Sequence, residues 1–179
     1  MAAAETLIYE KSVLTFGCGN TLFGNDGFGP EVVNHLNLHH TIPDYALALD
    51  VGTGIRDFIF DLLLMEKKPE KIIIIDAVTV KGKKPGEVFK IDLACVPKEK
   101  MSDFSLHQSP CSNLMSQLKD QGVDVKVLGM HTNLIPNEIN PGLCPKAKKA
   151  VPIASDWIIK ELKKSGPNTF DLKEVETCR

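Results

Sequence analysis

Four side chains of this 179-residue chain combine a type that carries out metal or hydrolytic chemistry with a place in a loop or at the end of an apolar run, namely Asp26, Asp50, Asp76 and His107. Asp26 sits in a glycine-rich loop, Asp50 and Asp76 close two apolar runs, and His107 lies in a polar stretch before a predicted helix. Two carboxylates and a neutral imidazole (Asp26, Asp76, His107) form a donor set suited to a borderline divalent ion such as nickel or zinc. Each residue also has a plainer reading. An Asp ending a buried strand caps a turn or the next helix, Asp26 can cap the helix that follows it, and a lone His is usually a surface residue.

Other constellations are weaker. Gly17-x-Gly19 after a strand resembles the start of a dinucleotide fingerprint with Asp50 as the ribose ligand, but Leu22 stands where the third glycine belongs. Asp26 would also bring negative charge to the place where a pyrophosphate docks. Cys18 beside the loop, with His107 as base, would need a depressed thiol pKa and direct contact to serve as a nucleophile. His35 and His39 are one helical turn apart without the Glu of a zinc-protease helix, so these two and His40 read as solvated surface residues. His131 reads as a loop residue beyond the last strand. No Ser–His–Asp signature is present.

The elements that must position these residues alternate. Ser12–Phe16 reads as a buried strand, and Pro30 suits the first turn of a helix bearing Val32, Val33 and Leu36. Tyr45–Leu49 is a second strand, and Ile55, Phe58, Ile59, Leu62 and Leu63 recur at helical spacing. Ile72–Ile75 is apolar at every position, as in a parallel strand covered on both faces. Glu87–Ile91 alternates like an edge strand. Cys111, Leu114, Met115 and Leu118 mark a helix, Val123–Leu128 a strand, and a last helix starts near Pro145 or Pro152, with Pro152 either beginning or kinking it. The predicted fold is α/β, one domain, a mostly parallel twisted sheet between helix layers with one antiparallel edge strand. Its predicted bounds are residues 12–164, after an extension at 1–11 and before a frayed polar tail at 165–179. Ligands of such sheets bind beyond the carboxyl ends of the strands, where Asp26, Asp50, Asp76 and His107 would gather.

Composition narrows the class. Hydrophobic residues make up 43% and charged residues 25%, and the formal charge is −2, which offers no basic face for nucleic acid. Apolar runs such as Ile72–Ile75 fall far short of the roughly 20 residues of a membrane span. Met1–Lys11 shows no basic region followed by an apolar block. Five scattered cysteines without a Cys-x-x-Cys pair fit a reducing compartment, so the expected location is the cytoplasm.

Gly17-Cys18-Gly19-Asn20-Thr21-Leu22 followed by Asn25-Asp26-Gly27-Phe28-Gly29 resembles the opening motif of the hydrogenase maturation peptidases. Asp50-Val51-Gly52-Thr53-Gly54 is similar to their Asp-Gly-Gly-Thr turn. Ile75-Asp76-Ala77, Ser105-Leu106-His107-Gln108 and the Gly129…Pro141-Gly142-Leu143 segment follow in the family's order. Phe23–Pro30 and Asp50–Asp57 resemble the branch that serves the deazaflavin-reducing nickel–iron hydrogenase of methanogenic archaea. The resemblance implies an endopeptidase, of the aspartyl type, that removes the C-terminal extension of a hydrogenase large-subunit precursor after nickel insertion. It implies Asp26, Asp76 and His107 as the residues that contact nickel carried by the precursor, with no permanently bound cofactor, and a monomeric enzyme. For cleavage two options stand, nickel itself polarising the carbonyl or water, or Asp50 acting as base or orienter. Asp50 is the favoured one, with backbone N–H groups of Gly17–Asn20 and Gly52–Gly54 as oxyanion donors. The alternative is an escort that binds nickel without cutting. The family usually has two adjacent acids where this chain has Asn25-Asp26, which questions any role of the first.

Overall fold

The computed structural model describes residue 8 and residues 10–91, 112–133 and 135–165. Strand β1 (Val13–Cys18) leads through a 3-10 turn (Gly24–Gly27) into helix α1 (Phe28–His39). Strand β2 (Ala46–Gly52), helix α2 (Ile55–Leu64), strand β3 (Lys71–Val78) and strand β4 (Val88–Ile91) follow. Helix α3 (Ser112–Asp120), strand β5 (Asp124–His131) and helix α4 (Pro145–Lys163) complete the described chain. The sheet order is β2-β1-β3-β5-β4, with every pairing parallel except β4 against β5. The predicted α/β class and the single antiparallel edge strand are both present.

The unbroken apolar run of β3 has the expected cause. Ile73 and Ile75 pack into one core with Val32, Val33 and Leu36 of α1 and Ala147, Ala154 and Ile158 of α4. Ile72 and Ile74 pack into a second core with Ile55, Ile59 and Leu62 of α2 and Met115 and Leu118 of α3. Alternate side chains of one strand thus serve opposite helix layers. Pro152 lies inside α4, which starts at Pro145. Of the two starts considered, Pro145 is the right one, and Pro152 sits on the exposed side of the helix, where its missing N–H is near solvent.

Two glycines fix how closely α1 meets the sheet. A Cβ on Gly29 would lie 2.3 Å from the Cys18 carbonyl oxygen, 2.5 Å from the Cys18 nitrogen and 2.6 Å from the Ile75 carbonyl oxygen. A Cβ on Gly17 would lie 2.4 Å from the Gly29 carbonyl oxygen. Backbone therefore rests on backbone, which only residues without a side chain permit. This contact presses the start of α1, and the turn before it, onto the carboxyl ends of β1 and β3. Among the described residues no helix is long and apolar enough to cross a membrane.

Candidate active site

The turn Gly24–Gly27 carries Asp26, and β3 carries Asp76. Asp26 is 7% exposed and its Oδ2 accepts the Asn20 backbone N–H at 2.8 Å. Asp76 has no exposed surface, and its Oδ1 accepts the N–H of Ala77 at 2.8 Å. The strand continues two residues beyond Asp76, so this acid lies within β3 rather than past its end. Burial pushes the Asp76 carboxyl well above the usual carboxylate range, the charge of Asp26 adds to that, and the Ala77 N–H opposes it. The two acids are therefore electrostatic neighbours although 50 positions apart in sequence. Like charges brought together out of water favour keeping a proton on one of them, or a cation between them.

His107 lies outside the described residues, and among the described residues no group of three metal-binding side chains converges on one point. Asp50 stands in β2, in register with Gly17 of β1, which is itself in register with Ile75 of β3. Two strand spacings place its backbone roughly 10 Å across the sheet from β3. Its carboxylate is exposed, with Oδ1 accepting the Gly52 N–H at 2.9 Å. With Gly19, Asn20, Thr21, Pro30, Gly52 and Thr53 it lines an open depression of about 250 Å³. Asn20 borders this depression and donates to Asp26, linking it to the paired acids.

Several backbone groups expected to be oxyanion donors are committed elsewhere. Gly19 N–H donates to the Gly52 carbonyl at 2.9 Å, and Gly54 N–H donates to Val51 at 2.9 Å. Asn20 and Gly52 donate to Asp26 and Asp50 as described. The turn geometry that shapes the rim uses these donors to hold itself together. Cys18 is fully buried in the α2–α3 core, which removes it as a solvent-facing nucleophile.

Two residues carry more than the sequence suggested. Asn25 donates from Nδ2 to Thr132 Oγ1 at 3.0 Å and accepts the Cys144 N–H on Oδ1 at 2.9 Å. It ties the Asp26 turn to the end of β5 and the start of α4, and a carboxylate could not make the first of these bonds as a donor. His131 is the last residue of β5, only 5% exposed, and not a loop residue. Its Nδ1 accepts the Val80 N–H at 3.1 Å and its Nε2 lies 3.0 Å from Asn133 Oδ1, which fits a neutral ring protonated at Nε2. The strand end was the missed signal, because Gly129-Met130-His131 extends the apolar alternation past a glycine. Gly129 packs tightly against Ile91 and Val78.

The profile of the hydrogenase maturation proteases matches residues 30–161. The delta subunit of coenzyme F420 hydrogenase from Methanothermobacter thermautotrophicus is 37% identical over 159 residues, covering 86% of this chain and 96% of that one. A second methanogen relative, from Methanocaldococcus jannaschii, is 35% identical over 156 residues, covering 87% and 99%. Among solved structures, the hydrogenase maturating endopeptidase HybD from Escherichia coli superposes with a TM-score of 0.67 at 27% identity, covering 86% of this chain and 93% of that one. Motif order, sheet topology and relatives agree: the chain belongs to the hydrogenase maturation proteases, hydrolases of peptide bonds, and its methanogen relatives support the branch its motifs resemble.

Proposed function

We propose that this peptidase removes the C-terminal extension of a nickel–iron hydrogenase large-subunit precursor once nickel is in place, and that nickel held by the precursor is the recognition signal. The observation that carries the reading is the pairing of Asp26 with the fully buried Asp76. Two carboxylates in this setting resist ionising together, and a divalent ion arriving with the precursor relieves that cost by displacing the retained proton. His107 is the third contact in this reading. Contact with the metal gives the enzyme a higher affinity for the loaded precursor than for the empty one, which is the requirement for any ligand-gated preference.

Cleavage then needs a water activated for attack on the scissile carbonyl and a proton for the departing amine. Asp50, exposed at the rim and held at one oxygen by Gly52, serves as base or orienter. The depression it shares with Gly19–Thr21 and Thr53 receives the extended peptide. Asp50→Asn tests the division of roles. Precursor should still bind to this variant, while the mass of the mixed precursor stays unshortened. Loss of binding with Asp50→Asn would make Asp50 a docking residue, and unchanged cleavage would remove it from the chemistry.

A further inference from the structure

The far end of α1 carries three imidazoles that the peptidase reading does not use. His35 and His39 are one helical turn apart, and His40 caps the helix with its N–H on the Leu36 carbonyl at 3.0 Å. Ring centroids of His35 and His39 are 4.5 Å apart, and those of His35 and His40 are 5.7 Å apart. Two imidazoles bound to one tetrahedral ion at about 2.0–2.1 Å have centroids roughly 5 Å apart. The observed separations bracket that value. Nδ1 of His35 is buried and makes no hydrogen bond. From α4, the acid facing His35 is Asp156, close enough to act on it electrostatically.

From this geometry we propose that His35, His39 and His40 form a second, independent binding site for one divalent transition-metal ion of the nickel, copper or zinc type. As the rings stand, no three donors meet on one point. Rotation of each imidazole about its Cβ–Cγ bond turns the nitrogens inward while leaving the centroids nearly in place, and His39 is exposed enough to turn. Burial, together with the neighbouring rings of His39 and His40, holds His35 below the usual histidine pKa, so it offers a neutral lone pair at pH 7. Asp156 supplies either a fourth donor or an acceptor that orients His35. The site lies toward the far end of a 12-residue helix from Phe28, with His39 roughly 16 Å and His35 roughly 10 Å along the axis from that residue. His131 is engaged at both nitrogens and does not compete.

The test is nickel titration by calorimetry of the full chain carrying Asp76→Asn and His107→Gln, which silence the proposed catalytic-site donors. Copper electron paramagnetic resonance on the same protein reads imidazole nitrogens directly. One bound ion is expected, with nitrogen hyperfine structure from at least two rings. His39→Gln should weaken binding at least tenfold, and His35→Ala with His39→Gln should abolish it. Precursor processing by His39→Gln in the otherwise natural chain should be unchanged. No binding in the silenced background, or equal affinity after loss of both His35 and His39, would overturn the proposal.

Discussion

A carboxyl group without exposed surface, set beside a second acid, is stable either protonated or against a cation, and Asp76 beside Asp26 is in that position. The folded chain holds the Asp76 proton more tightly than the unfolded chain does. The cost of ionising it therefore enters as pH rises from the ordinary carboxyl range through the raised folded value. Asp76→Asn removes that cost and preserves an oxygen to accept the Ala77 N–H. Thermal unfolding at pH 7 should show a higher Tm for the variant, at about 2–4 °C per kcal/mol for a chain of this length. The same substitution should leave precursor uncleaved. A variant that is both less stable and fully active would contradict the assignment of Asp76 as a strained, functional acid. The motifs made Asp26 and Asp76 legible as candidates. They did not reveal the role of Asn25, because a missing acid says nothing of two hydrogen bonds to Thr132 and Cys144, residues more than 100 positions away.

At the scale of elements, the backbone contact between α1 and the sheet is what delivers Asp26 to Asp76. Gly29→Ala would put a methyl group against Cys18 and Ile75 backbone atoms that have no room to move. Overpacking of this kind costs about 1–3 kcal/mol or more, and processing should fall with it, since lifting α1 separates the two acids. A Gly29→Ala variant with unchanged denaturant midpoint would refute the close approach. The opposite end of the domain is held by charge. Glu161 of α4, only 2% exposed, accepts from Lys126 of β5 and from Lys164, the latter at 2.8 Å. Burial alone would raise its pKa, but these two hydrogen bonds and the charges behind them outweigh it and bring the carboxyl to about 2. A lowered folded pKa contributes stability above the ordinary value of 4.5 that is lost as pH falls toward about 2. Glu161→Gln should therefore cost about 3 kcal/mol at pH 7 and almost nothing near pH 2, read from urea unfolding at both values. Equal loss at both pH values would point to packing rather than charge.

The element order was largely readable because each strand and helix carries its own period. Ile72–Ile75 announced a strand covered on both faces, and the two cores on opposite sides of β3 are its physical meaning. Strand ends were less readable: β3 runs through Asp76 to Val78 and β5 through His131, since a polar residue inside a strand looks like its end until the partner strand pairs with it. The fate of the rim N–H groups was not readable at all, because Gly19, Asn20, Gly52 and Gly54 find their acceptors through turn geometry rather than local pattern.

For the whole molecule, Asp26 of the Gly24–Gly27 turn is brought beside Asp76 of the central strand β3, and an open depression of about 250 Å³ lined by Asp50 lies next to that turn. In the function proposed above, such an arrangement discriminates by what the partner brings. The most direct measurement is the mass of the hydrogenase large-subunit precursor after incubation with the enzyme, with nickel-loaded and nickel-free precursor run in parallel. Shortening at the C-terminus of the loaded precursor alone is the predicted result. Equal shortening of both, or of neither, would contradict nickel as the signal for cleavage.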